Sequence, residues 1–165
     1  MMNKVNTKEV QRRTLSLETI DQYVAELDRI EAAGAAGTLE VQGNWTPGQI
    51  MAHLAAWIEY GGDGYPMKSP PFFVRWLLRF SLKRILKNGM PAGFSLPGVE
   101  GGTTGQDDME LDAGITRLKN ALERLQSQPA IHDSPAFGKL TEQQREKLNL
   151  RHAELHLGFL KYPGE

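Results

Sequence analysis

Two histidines in the last third of the chain have the spacing of metal ligands. His152 and His156 lie four residues apart within the stretch from Thr141 to Leu160, which has the pattern of a helix. On an α-helix, residues at this separation are about 40° apart around the axis and share one face. Two imidazoles on one helical face can hold one metal ion. The pair therefore indicates a metal site that a second element must complete.

His53 is the histidine best placed to complete such a site. It falls on an apolar stripe with Ile50 and Trp57 at helical spacing, so we expect it to face the protein interior. Three neutral imidazoles around a divalent ion, with a position left for water, form a catalytic-type site, and Zn, Ni and Fe all accept imidazole. Trp57, one turn beyond His53, would line the pocket. His132, in a proline-containing connection, is a weaker candidate.

The same residues also have a purely structural interpretation. A lone histidine on an apolar face is more often a hydrogen-bonded core residue, and a pair at this spacing can simply bond to carboxylates. No general base can be assigned, because Glu154 lies about 200° from each histidine of the pair and faces away. Ala153 stands where a metalloprotease of the His-Glu-x-x-His type has its glutamate, which disfavours that class. The catalytic residue therefore stays unassigned.

The composition is that of an ordinary globular chain. Of its 165 residues, 40% are hydrophobic and 24% charged, and the net charge is −1. This balance gives no long-range field that would favour nucleic acid. The lack of cysteine excludes disulfides and thiolate metal sites. No apolar run approaches the roughly 20 residues of a membrane span, and no apolar stretch follows Arg12 and Arg13, so we expect a cytoplasmic protein with no membrane partner.

Helical patterns follow one another along the chain, and no segment alternates as a strand does. We expect an N-terminal arm over residues 1–14 and a single helical domain over residues 15–162. Capping boxes predict helix starts at Thr46, with Gln49, and at Thr141, with Gln144. A first helix should begin near Ser16. Another helix should carry an apolar seam that begins at Leu111, and its predicted caps are Asp107 or Asp108.

An additional helix is predicted over residues 72–87. It is apolar on most sides, and Arg75, Arg79, Lys83 and Lys87 repeat every four residues along it. We favour a helix packed on the bundle with a solvated basic stripe, since such mixed helices are common in soluble bundles. The alternative is a membrane-surface helix with its aromatic residues opposite the cations. The glycine-rich stretch that follows, residues 88–106, is interpreted as a linker, with a lid as the alternative.

These elements predict an all-α fold: an up-down four-helix bundle with an additional short helix and a long glycine-rich loop. Two segments of the chain resemble a known family with this architecture. Residues 44–54, with the sequence NWTPGQIMAHL, resemble the second-helix signature of the DinB-like (YfiT-like) superfamily of metal-dependent helical bundles. Residues 135–141, PAFGKLT, followed by His152-x-x-x-His156, resemble its closing segment. The resemblance extends roughly from Leu15 to Tyr162.

The resemblance implies a divalent metal, often nickel or zinc, held by one histidine of the second helix and two of the last. These roles fall on His53, His152 and His156. It also implies a homodimer, and reactions that range from hydrolysis to transfer or isomerisation with low-molecular-weight thiols. Phe159 departs from the pattern, because many relatives have a glutamine there.

Two functions follow as expectations. The first is a metal-dependent hydrolase or low-molecular-weight-thiol transferase that acts on a small molecule, with Trp57 and Phe159 lining its pocket. The alternative is a non-catalytic helical bundle whose metal, if any, is structural, and which acts as a dimeric or membrane-surface interaction protein.

Overall fold

The computed structural model describes residues 5–93, 99 and 102–164, so part of the glycine-rich stretch lies outside the described residues. Within these ranges the chain is mostly helical, which confirms the predicted all-α class. The five helices are α1 (Ile20–Ala35), α2 (Pro47–Asp63), α3 (Phe72–Asn88), α4 (Leu111–Ser127) and α5 (Glu142–Leu157). Two short strands that the sequence did not indicate, β1 (Glu40–Val41) and β2 (Leu160–Lys161), pair antiparallel.

Both predicted capping boxes are present, and they fix the starts of the two helices that carry the histidines. The Thr46 hydroxyl accepts from the Gln49 backbone amide at 3.2 Å, and the Gln49 side chain accepts from the Thr46 amide at 2.9 Å. Pro47 occupies the first helical position, where its missing amide hydrogen costs nothing. Thr141 and Gln144 make the same reciprocal bonds at the start of α5.

Two other predicted helix starts were wrong. The first helix begins at Ile20 with Thr19 as its cap, not near Ser16, and the Thr19 hydroxyl accepts from the Gln22 amide at 3.2 Å. Helix α4 begins at Leu111, after a cap position at Glu110 that makes no side-chain capping bond.

The predicted cap residue Asp107 has a different role. Its carboxylate lies 2.9 Å from a guanidinium nitrogen of Arg117, so it forms an ion pair with α4 instead of capping the helix.

The main core is formed by apolar side chains of α1, α2, α4 and α5, together with residues around β2. Helix α2 makes close contacts through glycines with α4 and with the segment just before it. A Cβ atom on Gly48 would lie 1.8 Å from the carbonyl oxygen of Met109, and one on Gly114 would lie 2.7 Å from the Cβ of Met51. This close approach places α2 firmly against α4 and orients its face with His53 toward α5.

Helix α3 does not pack as the favoured interpretation predicted. Only Leu82 and Ile85 of α3 are buried, and Arg79 donates to the carbonyl oxygens of Phe137 and Lys139 at 2.8 and 2.7 Å, so part of the basic stripe points to the protein. The helix is also as long as its neighbours rather than short. Five large apolar residues of its first half are instead exposed by 60–83%: Phe72, Phe73, Trp76, Leu77 and Phe80.

The described residues of the predicted N-terminal arm are tied to both ends of the domain. The Arg13 amide donates to the carbonyl oxygen of Gly158 at 2.8 Å, and its guanidinium lies 2.6 Å from the carboxylate of Glu26 in α1. The Tyr162 hydroxyl donates to the same carboxylate at 3.0 Å. Glu26 is buried, so this cluster joins the arm, α1 and the segment after α5 through a shielded charge. In the described part of the chain, no helix is long and apolar enough to cross a bilayer.

Candidate metal centre

His53 projects from the buried face of α2, where it is 1% exposed. Its Nδ1 atom lies 2.8 Å from the carbonyl oxygen of Thr104, in the segment that precedes α4. Because a carbonyl oxygen only accepts hydrogen bonds, Nδ1 carries the hydrogen, and Nε2 of the neutral ring has a free lone pair. Trp57 donates its indole N–H to the same oxygen at 3.2 Å. The Thr104 carbonyl therefore aims the free nitrogen of His53 away from its own helix.

That nitrogen meets the two histidines of α5. The Nε2 atoms of His53 and His152 are 3.1 Å apart, and one ring nitrogen from each of His53, His152 and His156 lies within 4.8 Å of the others. Two nitrogens bound at about 2.1 Å to one tetrahedral ion are about 3.4 Å apart, close to the shortest separation here. The three predicted ligands thus converge, and the group can hold a metal ion.

The electrostatic setting keeps all three imidazoles neutral. Burial lowers the pKa of His53 to about 4, against a smaller opposing effect of the bond to Thr104. Burial, followed by the neighbouring imidazoles, holds the pKa values of His152 and His156 well below their usual range. Neutral imidazole is the form that binds metal, so near pH 7 no ring has to lose a positive charge before it binds an ion.

A cavity of about 300 Å³ opens beside the histidines. All three histidines line it, but His152 and His156 are half-buried whereas His53 is only 1% exposed. Trp57 and Phe159, the two residues expected to line the pocket, both contribute to its wall. A small molecule in this cavity would therefore meet the α5 side of the histidine group first.

Several residues of the site were not predicted from the sequence. Trp45, to which the sequence pattern gave no role at the site, stacks on His156 with ring centroids 5.2 Å apart and planes 7° from parallel. The Thr104 carbonyl is a backbone group far from His53 in sequence. Arg145 and Asn149 line the cavity as well, and their spacing from His152 on α5 could have revealed them.

The other two candidates lie elsewhere. His132 donates its backbone amide to the carbonyl oxygen of Gly61 at 3.0 Å, and its ring lies beside Gly64, apart from the three-histidine group. Glu154 faces away from the site, as expected, and accepts from the Leu17 amide at 2.7 Å while pairing with Arg151. Neither residue is placed to act on a ligand in the cavity.

The family model described as "Protein of unknown function (DUF1569)" matches residues 9–162. The chain belongs to this family. The match spans all five helices and includes the three converging histidines of this DUF1569 chain. No curated protein and no solved structure shows significant similarity to it.

The donor set of this DUF1569 chain fits a divalent ion. Three neutral nitrogen donors leave the charge of the ion uncompensated, and the Thr104 carbonyl supplies the outer hydrogen bond that ligating histidines usually have. Imidazole nitrogens suit Zn, Ni and Fe alike, so the ligand set does not select among them.

Proposed function

We propose that this DUF1569 chain is a divalent-metal-dependent enzyme of the DinB-like type, a hydrolase or a low-molecular-weight-thiol transferase acting on a small molecule. In this proposal α1, α2, α4 and α5 form the four-helix bundle and α3 is the added helix. The observation that carries the proposal is the convergence of His53, His152 and His156 from two distant helices beside one cavity. A core histidine needs a single partner, whereas here one ring nitrogen from each of three imidazoles lies within 4.8 Å of the others.

The histidines and the aromatic residues of the cavity would have different roles in this reaction. His53 is fixed by the Thr104 carbonyl and would set the position of the ion, while His152 and His156 stand at the cavity and would leave the remaining positions open to a ligand. Bound there, the ion would act as a Lewis acid and lower the pKa of a water or thiol. The aromatic walls, which include Trp57 and Phe159, would limit water and strengthen that electrostatic effect.

Elemental analysis of untagged protein tests the metal. We expect about one divalent ion per chain, lost in the double variant His152→Ala/His156→Ala and kept in His132→Ala, a matched control outside the site. Failure to take up an ion after incubation with Zn, Ni or Fe salts would refute the proposal.

Circular dichroism of the metal-free double variant then separates two roles of the ion. A retained helical spectrum supports a site kept for chemistry, and an unfolded chain indicates a structural ion. Turnover of candidate substrates with and without an added small thiol would distinguish the transferase from the hydrolase.

A second candidate function rests on the exposed face of α3. Its first half exposes five large apolar side chains, and its second half exposes Lys83, Arg84 and Lys87, with no acidic residue in the whole helix. Contiguous exposed apolar surface of this kind marks interaction sites. The favoured occupant is a second copy. In a dimer with two-fold symmetry, two antiparallel α3 helices would place the aromatic half of one copy over the cationic half of the other. This arrangement allows cation–π contacts and keeps the cationic halves of the two copies apart.

Size-exclusion chromatography with light scattering tests this contact. We expect a dimer that becomes a monomer in the Phe72→Ser/Trp76→Ser variant, with an unchanged helical spectrum. A monomeric wild type refutes it. Sedimentation of such a monomer with anionic vesicles would favour the membrane-surface alternative instead.

A further inference from the structure

The cavity-lining face of α5 continues beyond the two histidines. Arg145, Asn149, His152 and His156 all line the cavity, and their spacing of four, three and four residues places them in one row along the helix. Seven residues of helix correspond to roughly 10 Å. The row therefore has the two histidines toward one end and a guanidinium about two turns away, with the Asn149 side chain between them.

The guanidinium of Arg145 is only partly used by the protein. Its Nη2 atom donates to the carbonyl oxygens of Leu125 and Gln128 at 2.9 and 2.7 Å, and Nη2 and Nε both bond to the Glu142 carboxylate. Among the described residues, Nη1 has no acceptor. It lies 3.9 Å from where a Cβ on Gly61 would stand, and Gly61 also lines the cavity. The side chain is 12% exposed, and Nη1 keeps enough accessible surface to donate to a ligand in the cavity.

A second donor without an acceptor lies in the same wall. The Tyr65 hydroxyl makes no hydrogen bond within the described ranges, and its residue lines the cavity. Burial raises the pKa of Tyr65, so the hydroxyl keeps its proton; the charge of Arg145 acts in the opposite direction and that of Asp133 in the same one. Tyr65 therefore offers an O–H donor that is within the electrostatic reach of Arg145.

The remaining wall is mostly apolar, with uncharged polar residues such as Ser134 and Asn149, and carries no acidic side chain among the described residues. Arg145 is the one ionised group in the described lining, since the histidines are neutral. The apolar and aromatic lining residues include Ile50, Trp57, Phe137, Leu140, Leu148 and Phe159. Such a cavity disfavours a cationic ligand and suits an apolar body that ends in an acceptor group.

We propose that the cavity binds a small organic acid, with its carboxylate held by Nη1 of Arg145 and the Tyr65 hydroxyl, and with its apolar body directed along α5 toward the histidines. The inference rests on the proposed function only in assigning the other end of the molecule to the metal. Arg145 and Tyr65 are then binding residues that set the substrate class. A carboxylate accepting from both would satisfy the two donors that the protein leaves unpaired.

Two matched probes test the proposal: 6-mercaptohexanoate, and 6-mercaptohexan-1-ol, which has a hydroxymethyl group in place of the carboxylate. Binding is measured by calorimetry and by the fluorescence of the cavity tryptophans, on metal-free and on nickel-loaded protein. We expect the wild type to prefer the acid by about tenfold, as a charge-assisted hydrogen bond predicts. The preference should fall to about threefold or less in Tyr65→Phe and in Arg145→Gln, and persist in Tyr60→Phe, a control whose hydroxyl lies outside the cavity lining.

Equal binding of the two probes, or a preference that survives in both Tyr65→Phe and Arg145→Gln, would overturn the inference. If Arg145→Gln loses its bonds to α4 and unfolds, Tyr65→Phe still tests the inference. The two proposals fail separately. An acid preference with no gain in affinity for either probe on adding nickel would support the acid site and count against the metal enzyme, whereas tighter binding of both thiols with nickel, without acid preference, would do the reverse.

Discussion

The Nδ1 atom of His53 lies 2.8 Å from the carbonyl oxygen of Thr104, although 51 residues separate the two in the chain. The bond makes Nδ1 the protonated nitrogen and leaves Nε2 to face α5. Trp57 donates to the same oxygen and so helps to fix the position of the Thr104 carbonyl. The segment before α4 therefore orients a ligand of the proposed metal, as outer-sphere partners of metal sites generally do.

Gly105→Ala should weaken metal binding without touching a ligand. A Cβ at Gly105 would lie 2.7 Å from the Cβ of Ala56 and 3.1 Å from the Tyr60 hydroxyl, on a backbone with φ of +87°. The segment must shift, and the adjacent Thr104 carbonyl shifts with it. We expect a 10–100-fold loss of zinc affinity, as for other outer-sphere changes, measured by competition with a chromophoric chelator.

Gly89→Ala is the matched control for this variant. Its φ of +89° gives the same backbone strain, but nothing lies within 4 Å of the added carbon. Its zinc affinity should equal that of the wild type. Equal affinities in all three proteins would show that the Thr104 carbonyl does not control the site.

The sequence predicts the site as far as local signals reach. The boxes at Thr46 and Thr141 are complete within four residues, so they fix where α2 and α5 start. From those starts, the helical period alone places His53 and the α5 pair on inward faces. The cap of the first helix was misplaced because Leu17 is buried although it lies before the helix. Its apolar side chain continues the apolar pattern of α1 beyond the true start at Ile20.

What the sequence could not supply depends on contacts between distant segments. The pairing of Val41 with Leu160 joins two strands of two residues, too short to show a period. Every residue type has the same backbone carbonyl, so no sequence pattern identifies the one of Thr104 as a partner of His53. The exposed aromatic face of α3 has the composition of a buried one, and only the positions of its neighbours show that Phe72 and Trp76 remain uncovered.

The metal-free protein should lose stability as the pH falls from about 6.5 to 4. The pKa of His53 is about 4 in the folded protein and 6.5 as its ordinary value, so between these limits the unfolded chain binds a proton that the folded chain does not. Protonation therefore favours unfolding, and His53 alone accounts for roughly 3 kcal/mol over this range. His152 and His156 shift in the same direction and add to the loss.

Urea denaturation in the presence of a chelator, repeated at several pH values, measures this dependence. His53→Gln should show a shallower fall of the unfolding free energy between pH 6.5 and 4, and His132→Ala should keep the wild-type slope. Identical slopes in wild type and His53→Gln would contradict the assignment of a neutral, buried imidazole.

Glu26→Gln should destabilise the fold strongly, although Glu26 is far from the cavity. Its carboxylate is 1% exposed and lies 2.6 Å from the guanidinium of Arg13, whose side chain is 6% exposed. Removing one charge of a buried pair typically costs about 3–5 kcal/mol, because the other charge stays shielded from water. Arg29→Ala is the control: Arg29 contacts the same carboxylate at 2.9 Å but is 55% exposed, so its loss should cost about 1 kcal/mol or less.

Chemical denaturation at neutral pH compares these two variants. Similar unfolding free energies for Glu26→Gln and Arg29→Ala would show that the buried cluster does not hold the N-terminal arm to the domain.

Gly48→Ala should disrupt the contact that positions His53. The added Cβ would lie 1.8 Å from the carbonyl oxygen of Met109 and 2.8 Å from its carbonyl carbon, and backbone atoms cannot move aside as a side chain can. We expect a loss of about 3 kcal/mol or more, at or beyond the upper end of overpacking costs, together with weaker zinc binding as α2 is displaced. In the control, Gly34→Ala, the new carbon meets only the Cδ2 end of Leu111 at 2.5 Å, which can rotate away. The unfolding free energy of Gly34→Ala should therefore stay within about 1 kcal/mol of the wild type. If Gly48→Ala unfolds at the same urea concentration as Gly34→Ala and binds zinc as the wild type does, α2 is not held by this glycine contact.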